Sequence, residues 1–172
     1  MTHDFSGLTS LTDYRFQRPV RLTEADVDSQ QHLNNAAVAR ILNDLRVAYV
    51  FNGPGLPWRD YLAREGLVVV VRELHVRYDR QALLGDELAA GVRVSARQGK
   101  AKFVEQRIVD VRRDAIVAEA WAVQLIVRGA HAIEFPDFYW DAIAEMEGGP
   151  VPEITPAPRP PWGPPRATPA AP

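Results

Sequence analysis

Asn35-Ala-Ala-Val-Ala-Arg-Ile-Leu-Asn-Asp-Leu-Arg-Val-Ala-Tyr-Val-Phe-Asn52 is the stretch on which the fold turns. Val38, Ile41, Leu42, Leu45, Ala48 and Tyr49 recur at the i, i+3, i+4, i+7 spacing of one helix face, which predicts a long helix whose apolar stripe must be buried. Asn34 or Asn35 can act as N-cap, because a carboxamide oxygen accepts from the free amides of a first turn. Asn52-Gly53-Pro54 should stop it, since each of the three disfavours helix.

Working outward, residues 17–22 read as a short strand that enters a polar turn over 23–31. On the other side a shorter helix is expected from Trp58 to Arg64, ending at Gly66. The pattern then becomes β for about sixty residues, over 67–78, 87–97, 102–111 and 115–127. The breaks at Gly85-Asp86, Gln98-Gly99 and Arg112-Arg113-Asp114 are short, which implies hairpins and an antiparallel meander. A closing helix is expected over 135–146. A long helix with one apolar face beside a sheet with one apolar face gives an α+β domain, the sheet curled around the central helix.

The 172 residues suit one domain with a substantial core, placed at 17–147 behind an N-terminal extension, 1–16. From 148 the composition changes. Ten of the chain's 14 prolines fall between Pro150 and Pro172, and each fixes φ and removes a donor, so this tail is expected to be extended or disordered. A net charge of -2 supplies no field that would draw the chain to nucleic acid or an anionic membrane. With no cysteine, disulfides, thiolate metal sites and a Cys nucleophile are excluded. The polar start and the lack of a long apolar run lead us to expect a cytoplasmic protein without a membrane partner. His3, His32, His75 and His131 show no metal-ligand spacing, and no metal is expected.

Asp26-Val-Asp28-Ser-Gln30-Gln-His32-Leu-Asn34-Asn35 places two acids, a histidine and two asparagines immediately before the long helix. On residue types alone this is either a polar turn with redundant caps or a reactive loop. The stretch resembles the D-x-D-x-x-x-H-x-N-N signature of the hot-dog-fold thioesterases, among them the 4-hydroxybenzoyl-coenzyme A thioesterases. Gly55-Leu-Pro-Trp-Arg59, Ala63-Arg-Glu-Gly66, Tyr78-Asp-Arg80 and Leu84-Gly-Asp-Glu-Leu88 follow in the family's order and approximate spacing, so the resemblance covers roughly residues 17–130.

That resemblance implies a hot-dog fold and hydrolysis of an acyl- or aroyl-coenzyme A thioester, with Asp28 as nucleophile or general base. Asp26 would order the turn, and His32, Asn34 and Asn35 would orient the loop or bond to substrate or water. Free amides at the helix start near Asn35 are candidate oxyanion donors. Arg97, Lys100 and Lys102, around one hairpin, are the candidate partners of the coenzyme's phosphates. Coenzyme A is part of the substrate, so no separate cofactor is expected. A homodimer or homotetramer with shared sites is implied, and the edges of a curled sheet invite such pairing. The chain departs from the family at several points, among them Gln30, where some relatives have asparagine, and the hairpin of Lys100 to Lys102, where relatives often have a serine. Gln31 stands where many relatives have glycine, and the glutamate that another hot-dog branch carries on the central helix is missing. Asp44 is the only acid between 36 and 51; it is read as an ion pair with Arg46 and as the reserve catalytic candidate. The rival reading is a non-catalytic acyl-coenzyme A binder on the same fold. A hot-dog dehydratase is a weaker third, because no second matching segment is present.

Overall fold

The computed structural model describes residues 5, 7–52 and 57–155. Its elements in chain order are β1 (Phe16–Val20), α1 (Asn35–Asn52), α2 (Trp58–Glu65), β2 (Val68–Tyr78), β3 (Leu88–Gln98), β4 (Ala101–Asp110), β5 (Ala115–Arg128), β6 (His131–Ile133) and α3 (Asp137–Glu147). Single 3-10 turns lie at Thr9–Leu11 and Glu24–Asp26. Gly53, Pro54, Gly55 and Leu56, including the start of the Gly55–Arg59 block, and the tail from Pro156 lie outside the described residues.

The helices form for local reasons. The α1 stripe is buried, and Val38, Ile41, Leu42, Leu45 and Tyr49 each contribute about 2 kcal/mol by leaving water. Gly66 ends α2 at φ 62, a left-handed cap that glycine adopts without a Cβ penalty. The closing helix begins at Asp137 rather than 135. Pro136 is its N-cap, and proline pushes the residue before it out of helical geometry, so Phe135 instead packs against Trp58 and Tyr139.

The six strands form one antiparallel sheet in the order β1-β3-β4-β5-β2, with β6 added along β5. The expected meander therefore holds only for β3-β4-β5. β2 does not form a hairpin with β3; residues 79–87 carry the chain across to β3, while β2 pairs with β5 at the far edge. Alternation fixes which side chains face inward but not which strand lies alongside. The inner face is Val92, Val94, Val104, Ile108 and the small Ala118, Ala120 and Ala122, which let α1 approach closely. The outer face is covered in part by the N-terminal segment: Phe5, Leu8, Leu11 and Tyr14 pack on Ala89 and Val109. A Cβ at Gly91 would lie 2.7 Å from Tyr14 Cβ, so this contact requires glycine. The rest of that face carries paired charges, Arg93 with Glu105 at 2.7 Å and Arg77 with Glu119 at 2.7 Å, and a second apolar cluster of Ala96, Phe103, Trp121 and Val123. After α3, Pro152 and Ile154 exchange backbone hydrogen bonds with Arg97.

Candidate active site

The loop between β1 and α1 is a small closed turn. Val27 bridges Leu33, the Asp28 amide donates to His32 O at 2.8 Å, and the Gln31 amide donates to Asp28 O at 2.9 Å. The chain reverses in so few residues because Gln31 takes φ 63. That is the left-handed region, which glycine enters freely and glutamine at a cost. The loop is fixed to the β2–β3 connection by the Leu33 amide on Ala82 O at 2.8 Å and by a bridge between His32 and Leu83.

Asp28 is exposed at this turn. Its Oδ1 accepts from the Gln30 amide at 2.8 Å and the His32 amide at 3.0 Å. Oδ2 has no donor among the described residues. One oxygen is thus held in place while the other faces outward.

Asp26 is different in every respect. It is buried, its Oδ2 accepts from the Thr23 amide at 2.8 Å and the Thr23 hydroxyl at 2.7 Å, and its Oδ1 pairs with Arg40. These contacts, the Thr23 hydroxyl foremost, hold its carboxyl below the usual carboxylate range. The Asp26 carbonyl also accepts the Asn34 amide at 2.9 Å, which ties the turn to the start of α1.

Asn34 is the N-cap: its Oδ1 accepts the Ala37 amide at 2.8 Å and its carbonyl accepts the Val38 amide at 3.0 Å. Asn35 is exposed as the first helical residue. The amides of Asn35 and Ala36 find no acceptor among the described residues, so two free donors point out of the positive end of α1. The half-buried His32 borders a hollow with Arg80, Asp86 and Arg113. The structure thus brings Asp28, His32, Asn34 and Asn35 to one end of one helix.

It does not assemble the hairpin cations. Arg97 is held by Glu153 at 3.5 Å and lies over the Trp140 ring, while the exposed Lys100 donates to Ala132 O at 2.8 Å. Lys102 is wholly buried, bonded to the Tyr139 hydroxyl with its ammonium 5.2 Å from the centre of the Phe135 ring. The reason is register: Lys102 shares the inward phase of Val104 and Ile108. The expected Asp44–Arg46 pair is also corrected. Residues two apart on a helix do not share a face. Asp44 pairs with Arg40 at 3.3 Å, and Arg46 turns into the core to donate to Gln106 Oε1 at 2.6 Å. Sequence reasoning missed this buried polar set of Arg46, Lys102, Gln106 and Gln124. The signal was present in the strand alternation, which puts Lys102 and Gln106 in phase with two core residues.

The architecture, a curled antiparallel sheet against one long helix with a polar loop at its N-terminus, is that of the hot-dog proteins. Residues 22–146 match the model of the thioesterase-like superfamily, and the chain belongs to that family. Among solved structures it is similar to a Thermus thermophilus thioesterase complexed with coenzyme A and Zn, at 24% identity and TM-score 0.69, covering 81% of this chain and 98% of that one. It is also similar to SAV2348 of Staphylococcus aureus, in complex with coenzyme A, at 16% identity and TM-score 0.70, covering 81% and 87%. A third is the 1,4-dihydroxy-2-naphthoyl-coenzyme A thioesterase Slr0204 of Synechocystis, at 11% identity and TM-score 0.69, covering 77% and 97%. At these identities the likeness shows the fold. No curated protein matches. Among the described residues no helix is long and apolar enough to cross a membrane.

Proposed function

We propose that the chain hydrolyses an acyl- or aroyl-coenzyme A thioester and that Asp28 is the reacting carboxylate. The observation that carries this is the state of Asp28: one oxygen fixed by two backbone amides, the other open to solution, in the loop that leads into α1, whose first two amides are unpaired among the described residues. A carboxylate so held is oriented before substrate arrives, and the Asn35 and Ala36 amides are donors for the negative charge that grows on the thioester oxygen. In the direct route Oδ2 attacks the carbonyl carbon, the C–S bond breaks, the thiol leaves after taking a proton, and water then cleaves the mixed anhydride. In the other route Oδ2 takes a proton from water, whose oxygen attacks, and the same C–S bond breaks. His32, at the border of the adjoining hollow, and Asn34, the cap that sets the helix start, position the loop.

Coenzyme A in two structural relatives supports the substrate class. Of the three hairpin cations, Lys100 keeps an exposed ammonium and is the one we assign to the coenzyme's phosphates. Assembly as a homodimer is supported by β2, an edge strand with one backbone edge unpaired among the described residues. The test is thiol release from a panel of acyl- and aroyl-coenzyme A esters, wild type beside Asp28→Asn. Turnover should fall at least about 100-fold in the variant, the scale of a lost catalytic base. Near-normal turnover with the fold intact would remove Asp28 from the reaction.

A further inference from the structure

A groove runs between α1 and the edge strand β2, away from the Asp28 loop. Its rim is apolar and exposed: Val47 of α1 and Val68 and Val71 of β2, at 43%, 59% and 42%. Its buried floor is apolar, with Val50, Leu62 and Leu67, except for Arg46 and Gln124, each only 5% exposed. A guanidinium and a carboxamide are thus enclosed where apolar side chains are the rule.

The floor is also incomplete. Arg46 has one hydrogen-bond partner, the neutral Gln106, and no carboxylate among the described residues lies within ion-pair distance. Gln124 makes no side-chain hydrogen bond among the described residues, its Oε1 being buried without a partner, so its NH2 is a second free donor on the floor. In the sheet Gln124 lies between Val71 of β2 and Lys102 of β4, and the Lys102 and Arg46 cations repel one another. A buried guanidinium with no carboxylate partner among the described residues is costly unless a ligand supplies one. Along α1 the lining runs from Asn43 to Phe51, about 12 Å at the helical rise; about 7.5 Å of it lies beyond Arg46, which holds a hydrocarbon body of about six carbons and leaves the end of a longer one at the open rim.

From this we infer that the groove between α1 and β2 binds a carboxylate with a hydrocarbon body, the carboxylate on Arg46 and the body between Val47, Val50 and Val71. The site stands independently of thioester hydrolysis. Two sources share this chemistry: a free aliphatic acid, or the far carboxylate of a dicarboxylic acyl group joined to coenzyme A at its other end. Pairing of β2 with a second copy would use the backbone edge of the strand and leave these inward side chains to line the groove.

The test is calorimetric titration of the whole chain with octanoate and with octanamide, its neutral isostere. Octanoate should bind saturably at one site per chain and octanamide at least tenfold more weakly. Arg46→Gln should erase that preference, and Val71→Trp, which fills the groove without touching its floor, should abolish binding of both. Equal binding of the two ligands, or octanoate binding unchanged in both variants, would overturn the assignment. So would a Val71→Trp effect confined to the assembly state, which would make a second copy the occupant. A kcat/KM preference for suberoyl- over octanoyl-coenzyme A that Arg46→Gln removes identifies the acyl source; octanoate binding without such a preference identifies the free acid. Because titration needs no turnover, a chain that binds octanoate and hydrolyses nothing refutes the hydrolase reading alone.

Discussion

Asp26→Asn separates the acid that builds the loop from the acid that reacts. In the native protein Oδ2 of Asp26 receives both Thr23 donors and Oδ1 receives Arg40. An amide offers one acceptor oxygen, so with that oxygen turned to Thr23 the new NH2 must face the guanidinium. The Arg40 contact is worth at most about 1 kcal/mol, because that side chain is 51% exposed and can turn to Asp44. Weakening the two Thr23 bonds from charged to neutral strength costs about 0.5 kcal/mol each. The sum is about 2 kcal/mol, or a fall in Tm of about 4–8 °C for a domain of this length. Thermal melts by circular dichroism at fixed protein concentration measure it. The acid dependence gives a second constraint. Asp26 has a folded pKa below its ordinary value, so its stabilisation is complete above 3.8 and is lost as pH falls through the depressed value. The gap between wild type and variant should therefore hold down to about pH 4 and close below it. Turnover should fall less than in Asp28→Asn, because the Asp26 carbonyl still accepts the Asn34 amide. Coincident melts at neutral pH, or a gap that persists undiminished into strong acid, would refute the assigned role.

Gln31→Gly should raise the urea midpoint slightly: it removes about 1 kcal/mol of left-handed strain but returns part of this as unfolded-chain entropy. Gly91→Ala forces a Cβ to within 2.7 Å of Tyr14 and 3.0 Å of Leu11, so it should cost about 1–3 kcal/mol. It should also expose the N-terminal segment to limited proteolysis while leaving thiol release near normal. Lys102→Met should stabilise at neutral pH. Burial, with the Arg46 charge beside it, pushes the Lys102 ammonium down to about 7, so unfolding takes up a proton between there and 10.5. The wild-type penalty is absent above 10.5 and grows as pH falls to about 7, so the gain in urea midpoint should shrink towards pH 10.

The readable parts of the fold were those with a periodic signal. Ile41, Leu42 and Leu45 recur at helical spacing, and α1 occupies the quoted stretch. The long strands were found for the same reason, and the short breaks gave the β3-β4-β5 pairing, but the partner of β2 was missed, because inward and outward alternation in β2 is the same whether its neighbour is β3 or β5. β6 is only three residues long, too short to show a period. In the site, the density of polar residues from Asp26 to Asn35 singled out the loop. The division of labour between the two acids depends on burial, which one sequence does not display: Asp26 is enclosed by Thr23 and Arg40, Asp28 is not. The hairpin cations failed for a related reason, since proximity in sequence ignored the inward phase of Lys102.

The two proposed sites sit on one helix, and its geometry links them. From Asn35, where the free amides lie, to Arg46 is about 16 Å along α1. A thioester whose carbonyl is held at those amides could place a distal carboxylate on Arg46 of the same chain only through an acyl group of about a dozen carbons, given about 1.5 Å of rise per residue. An eight-carbon diacid is too short for that path. If it is nonetheless preferred through Arg46, its carbonyl must be held by the loop of a second copy. The β2 edge beside the groove is where such a copy could pair, since β2 is bonded on one side only. Acyl length and assembly are therefore coupled: an Arg46-dependent preference for short dicarboxylic acyl groups requires the dimer, and a preference for long ones does not.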